Sequence, residues 1–122
     1  MKLKEIAELV DAEFLNLPEK ADEEVHTACA ADLLSDVLSM RGEAALLITG
    51  EAAPQVVRVA GVMNMRAILY VRGKKPQRKD IVKWATQRGI VLLSTPLSTF
   101  ETCGRLYVKG MRCSESSEIE FA

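Results

Sequence analysis

Ala67-Ile68-Leu69-Tyr70-Val71 is an unbroken apolar run, and Ile90-Val91-Leu92-Leu93-Ser94 is a second one farther along the chain. Between them lie a basic loop, Arg72 to Gln77, and then Ile81, Val82 and Ala85 at helical spacing, closed by Gly89. A short apolar run bounded by turn residues reads as a strand covered on both faces. Two such strands joined through a helix must run parallel, because the crossover carries the chain back to its starting edge. This segment therefore predicts a strand–helix–strand unit.

Working outward, the same alternation continues. Ala44-Ala45-Leu46-Leu47-Ile48-Thr49 is another buried strand, ended by Gly50, and Pro54 stands at a favourable first-turn position for a helix through Val56, Val57 and Ala60. Upstream, Leu3, Ile6, Ala7 and Val10 recur at the spacing of an amphipathic helix over about 2–12. Glu13 to Asn16 reads as a short strand, Pro18 to Glu24 as an acidic loop, and Val25 to Ala30 as a further strand. Asp32 is expected to cap a helix holding Leu33, Leu34, Val37 and Leu38, with Gly42 as its stop. Ser98-Thr99-Phe100-Glu101 has capping-box spacing and opens a last helix that ends near Gly110. In that helix Cys103 is expected in the core beside Phe100 and Tyr107, and Gly104 is expected where another element approaches closely, in this chain or across a dimer. The resulting fold class is α/β, a three-layer sandwich with a mainly parallel sheet of about five strands and helices on both faces. Residues 1–112 are expected to form a single domain, and 113–122, with Glu115, Glu118 and Glu120 but no Lys or Arg, an acidic C-terminal tail.

Composition narrows the function classes. The 122 residues carry 16 Lys and Arg against 17 Asp and Glu, a net charge of −1. That near-neutral total hides a split: residues 1–60 hold five basic and twelve acidic side chains, net −7, whereas 61–122 hold eleven basic and five acidic, net +6. Opposite-signed surfaces on one small body favour self-association over binding to a polyanion. The chain also lacks a trusted helix-turn-helix spacing and an aromatic platform, so nucleic acid is not the expected partner. No apolar run reaches the ~20 residues of a membrane span, and the N-terminus lacks the apolar stretch of a secretory signal. Three cysteines, Cys29, Cys103 and Cys113, form neither an even set nor a Cys-x-x-Cys pair. Neither a disulfide framework nor a metal site is expected, and free thiols suit the cytoplasm. His26 is the single histidine and reads as an ordinary polar residue.

No phosphate-binding loop, dinucleotide fingerprint or nucleophile elbow occurs, and no carboxylate pair has acid–base spacing; Asp32 and Asp36 read as a cap and a surface group. The expectation is therefore no catalytic residue, no metal and no cofactor. In parallel α/β sheets, ligands bind beyond the carboxyl ends of the strands. Those ends supply the candidate ligand-binding residues: Thr49 and Gly50 at one, Arg72, Gly73 and Lys74 at the next, Ser94 and Thr95 at the third. Arg72, Lys74, Lys75, Arg78 and Lys79 place five positive charges in eight residues, which suits a small anionic metabolite or a nucleotide.

The stretch Leu69 to Tyr107 resembles the C-terminal half of DRTGG domains. The matching residues are Tyr70-Val71-Arg72-Gly73, then Arg88-Gly89-Ile90-Val91-Leu92-Leu93-Ser94-Thr95, then Ser98-Thr99-Phe100-Glu101-Thr102. Upstream, Ala31-Asp32-Leu33-Leu34-Ser35-Asp36-Val37 is similar to the Gly-Asp-Leu-Leu-Ser-Asp-Val segment of short stand-alone members. The name-giving residues differ: Gly50-Glu51-Ala52 stands where Gly-Asp-Arg would fall, and Val71-Arg72-Gly73 where Thr-Gly-Gly would. The resemblance implies a non-catalytic regulatory module, similar to the N-terminal domain of HPr kinase/phosphorylase, that assembles as a homodimer. It also implies an alternative: a pure protein–protein interaction module with a vestigial site, accessory to iron-only hydrogenase systems.

Overall fold

The computed structural model describes residues 1–39 and 45–113. In chain order the elements are α1 (Leu3–Leu9), β1 (Glu13–Phe14), a single 3-10 turn (Pro18–Lys20), β2 (Thr27–Ala30), α2 (Leu34–Leu38), β3 (Leu46–Thr49), α3 (Pro54–Val62), β4 (Ala67–Tyr70), α4 (Lys79–Gln87), β5 (Val91–Ser94), α5 (Thr99–Val108) and β6 (Arg112–Cys113).

The sheet has six strands in the order β1-β5-β4-β3-β2-β6. Pairings from β5 through β6 are parallel, and β1 joins the β5 edge antiparallel. From β2 to β5 the chain steps one strand at a time in one direction, each step through a helix. It then returns across the opposite face as α5 to place β6 beside β2. This is the three-layer α/β sandwich that the sequence pattern predicts. The sixth strand is additional, because two residues are too short for an alternation pattern to register. Pairing of Ala28 with Cys113 puts the first residue of the expected tail in the sheet. The rest of that tail, Gly42 and Ala44 lie outside the described residues.

The strands β3, β4 and β5 are buried at every position, as continuous apolar runs require of a sheet covered twice. Successive side chains alternate sides. Ile48, Leu69 and Leu93 face α1 and α5 with Leu3, Ile6 and Leu106, whereas Leu47, Ile68 and Leu92 face α2, α3 and α4 with Val37, Val57 and Ile81. A fully buried Leu or Ile contributes roughly 1.5–3 kcal/mol, so these two clusters hold the three layers together. Gly61 in α3 lets Trp84 of α4 pack close; a Cβ there would lie 3.0 Å from the indole.

Two local expectations are corrected and a third is narrowed. Asp32 does not cap α2: the cap position is Leu33, without a side-chain hydrogen bond, and the Asp32 carboxylate turns to the end of β3 instead. Phe100 and Tyr107 are not core residues. Thr102 and Leu106 form the buried face of α5, and at 100° per residue that face turns Phe100 into solvent. Gly104 has nothing within 4 Å of where a Cβ would stand, so no element among the described residues approaches it. The Ser98 cap is present, its Oγ accepting from Glu101 N–H at 3.2 Å.

Candidate functional site

At the carboxyl edge of the sheet, Thr49, Tyr70 and Ser94 lie in one row across β3, β4 and β5. Beyond that row the backbone turns sharply. Arg72 has φ 55° and Gly73 φ 69°, so two consecutive residues are left-handed. Glycine takes that conformation freely, but arginine does so at a cost of about 1 kcal/mol or more. The turn is held by hydrogen bonds to the next loop, from Arg72 N–H to Leu97 O and from Gly73 N–H to Thr95 O, each 2.8 Å.

The strained turn folds the Arg72 side chain back over the end of β3. A Cβ on Gly50 would overlap its guanidinium, so Gly50 is required by this close approach. Gly50, Glu51, Arg72, Gly73, Lys74 and Lys75 line a cavity of about 600 Å³ between the two strand ends. A second space of about 430 Å³ adjoins it across Gly73 and Lys75 and includes Ser94. Within the basic cluster, Lys75 pairs with Glu13 at 2.5 Å and Arg78 pairs with Asp80, whose hydrogen bond holds that carboxyl below the usual range. Arg72 and Lys74 make no ion pair among the described residues. Lys79 stands outside the cavity lining, so Arg72 and Lys74 are the lining charges left to meet an incoming anion.

The acidic groups on and beside the cavity, Glu51 in its lining and Asp32 behind Gly50, are ordered as well. Asp32 Oδ1 accepts from Gly50 N–H at 2.8 Å and from the Thr49 hydroxyl at 3.3 Å. Thr49 Oγ1 accepts from Glu51 N–H at 3.1 Å, and Glu51 Oε1 accepts from Ala53 N–H at 3.0 Å at the start of α3.

Of the expected residues, Gly50, Arg72, Gly73 and Lys74 therefore converge on one cavity. Ser94 reaches the adjoining space, with its hydroxyl donated to Lys74 O at 2.7 Å. Thr49 and Thr95 are buried, and their hydroxyls serve the protein itself. Thr95 Oγ1 donates to Val10 O and accepts from Leu97 N–H. Asp32 is the neighbour that the sequence did not assign to the site, because an Asp before an apolar run looks like a helix cap.

The opposite edge of the sheet holds another cavity of about 600 Å³, lined by Lys20, Glu23, Arg66 and Arg88 among others. Its cations are already occupied. Glu23 pairs with both Lys20 and Arg66, and Arg88 stacks on Trp84 at the carboxyl end of α4, where a cation complements the helix dipole. The strand-end cavity is thus the better candidate.

Among the described residues no group of His, Cys, Asp and Glu could hold a metal ion, and no helix is long and apolar enough to cross a membrane.

No curated protein matches the chain. A solved structure from Clostridium perfringens, the CBS and DRTGG domains of a pyrophosphatase regulatory region complexed with its activator diadenosine tetraphosphate, has the same fold. It superimposes with a TM-score of 0.74 at 19% identity, covering 86% of this chain and 45% of that one. The profile of the DRTGG domain family matches residues 5–107, and the chain belongs to that family.

Proposed function

We propose that this protein is a non-catalytic regulatory domain that senses a small anionic ligand, a nucleotide by preference, at the carboxyl edge of its sheet. The observation that carries the proposal is the left-handed Arg72–Gly73 turn, which lays over Gly50, beside Lys74, a guanidinium with no ion pair among the described residues. Backbone strain at a loop persists where surrounding structure enforces it, and such positions cluster at ligand sites.

A nucleotide suits the two-sided character of the cavity. Arg72 and Lys74 offer donors to phosphate oxygens, while the Glu51 carboxylate accepts from hydroxyl or amine groups. Gly50, Gly73 and Lys74 frame the ligand, and Ser94 extends the site. Thr49 and Thr95 would act by holding the two loops. The regulatory region from Clostridium perfringens, which binds a nucleotide activator, supports the ligand class by analogy of fold alone. The cytoplasm is the proposed location.

Thermal-shift screening with nucleotides and phosphorylated metabolites tests the proposal. Stabilisation of the wild type, lost in an Arg72→Ala/Lys74→Ala variant, is expected. Absence of stabilisation by any anion, or equal stabilisation of the variant, overturns it.

One observation favours a second reading, an interaction module whose site is vestigial. Asp32 already takes the Gly50 N–H that an anion would otherwise use. Association with a protein partner, undiminished in the Arg72→Ala/Lys74→Ala variant and with no ligand effect on either protein, would select it. The hydrogenase-associated role implied by the sequence resemblance belongs to this reading.

A further inference from the structure

Lys75 stands where the two spaces at the carboxyl edge meet, since it lines both the cavity of about 600 Å³ and the adjoining one of about 430 Å³. Gly73 is the other residue common to both, and a Cβ there would meet nothing within 4 Å among the described residues. The passage between the two spaces is therefore open at the turn.

Backbone donors are spent at this turn. The N–H groups of Arg72, Gly73 and Lys74 donate to Leu97 O, Thr95 O and Val71 O. Neutralising a phosphate here falls to side chains, so the cations in the lining set how much charge the site can hold. Arg72 and Lys74 supply two. Lys75 is a third, but its Nζ lies 2.5 Å from Glu13 Oε1 on β1. Both partners are more than half exposed, and an exposed pair of this kind is weak. Arg78 and Lys79 line neither space.

We propose that Lys75 is the contact by which the site tells a diphosphate from a monophosphate, leaving Glu13 for the ligand when a second phosphate is present. This deepens the anion-sensing reading above, on which it rests, by naming the ligand class as a di- or triphosphate. A monophosphate carries a charge of about −1.5 to −2 near neutral pH, a load that Arg72 and Lys74 match. A second phosphate adds charge that those two cannot neutralise. With Lys75 held by Glu13, two cations face the Glu51 carboxylate in the lining; with Lys75 released, three do. The exchange is cheap, because Lys75 trades one anionic oxygen for another and the exposed Glu13 carboxylate passes into water.

Calorimetric titration of the full chain with ADP, AMP, inorganic pyrophosphate and inorganic phosphate tests it. The wild type is expected to bind ADP about tenfold more tightly than AMP, and pyrophosphate about tenfold more tightly than phosphate. Lys75→Gln should bring the diphosphate affinity down to that of the monophosphate in each pair. Glu13→Gln should raise diphosphate affinity about threefold, because Lys75 no longer has a partner to leave. Losing a negative charge attracts any anion, so Glu13→Gln is also made in the Lys75→Gln background, where the gain should disappear. Both side chains are exposed, so melts of the ligand-free variants should match the wild type. Equal affinity of the wild type for mono- and diphosphates, a preference that persists in Lys75→Gln, or a Glu13→Gln gain that survives without Lys75 overturns this inference and leaves the sensing reading standing. Binding of none of the four probes overturns both.

Discussion

The carboxylate of Asp32 caps the end of β3 through Gly50, with Oδ1 2.8 Å from the Gly50 nitrogen. An acidic side chain therefore occupies the N–H of Gly50, the residue over which the Arg72 guanidinium lies, and the two side chains set the polarity of the candidate site between them. Asp32 is itself solvent-exposed. Its charge opposes an incoming anion while its hydrogen bonds order the loop.

Replacing Asp32 separates those effects. Asp32→Asn keeps an acceptor for Gly50 N–H but removes the charge, and a unit charge about 4 Å away is worth roughly 1 kcal/mol in water. Anion affinity is expected to rise several-fold, read by calorimetric titration. Asp32→Ala loses the acceptor too and should destabilise the fold by about 1 kcal/mol in urea melts. Unchanged binding in Asp32→Asn would place the ligand elsewhere.

Gly50→Ala forces the Arg72 guanidinium to move, since the new methyl group takes its place. The side chain is flexible and exposed, so the fold should survive with a loss of about 1 kcal/mol or less, as is usual for surface changes. Ligand-induced stabilisation should fall to the level of Arg72→Ala. Gly73→Ala tests the other glycine: its Cβ meets nothing, but φ 69° strains any side chain, and a loss of about 1 kcal/mol is expected.

Tyr70 is fully buried at the end of β4, and its hydroxyl has no hydrogen-bond partner among the described residues. Burial alone pushes the phenol well above its ordinary pKa. An unsatisfied buried hydroxyl costs about 1–3 kcal/mol, so Tyr70→Phe should be neutral or stabilising in chemical denaturation. Tyr70→Ala, which opens a cavity in the cluster around Leu47, Ile68 and Ile81, should cost about 3–5 kcal/mol. A marked loss in Tyr70→Phe would reveal a partner for the hydroxyl.

Glu23 ties the loop before β2 to the start of β4. Burial works against its ionisation, but hydrogen bonds from Lys20 and Arg66 outweigh that, and the carboxyl titrates below its ordinary range. A carboxyl lowered by folding stabilises fully above the unfolded value of about 4.3, and that contribution disappears as pH falls through the folded value. Melting temperatures measured from neutral pH down through this window should fall. The fall should be shallower in Glu23→Gln, which starts from a lower stability.

The layered fold was legible because the apolar runs at 46–49, 67–70 and 91–94 are unbroken, and only a doubly covered sheet buries every residue of a strand. The convergence of Gly50 with Arg72, Gly73 and Lys74 was legible for a related reason: parallel strands in register bring their carboxyl ends together. Asp32 was misread because one residue type serves two local roles. An Asp before an apolar run suits a helix cap, and only the position of β3 beside β2 offered it Gly50 N–H instead. The outward turn of Phe100 was hidden too. Helical spacing identifies residues that share a face, but not whether that face meets the sheet or the solvent.

The sequence by itself determined the alternation of strands and helices, the parallel sheet and the meeting of the strand ends at its carboxyl edge. These follow from local apolar periodicity and from the obligation of parallel strands to cross over. Only the tertiary structure decided, among the described residues, which charges stay unpaired, which hydroxyls are consumed in holding loops, and which side of α5 turns away from the sheet. Each of those depends on partners distant in sequence: Lys75 on Glu13, Thr95 on Val10, Gly50 on Arg72. Such pairings arise only once the sheet has brought its strand ends together.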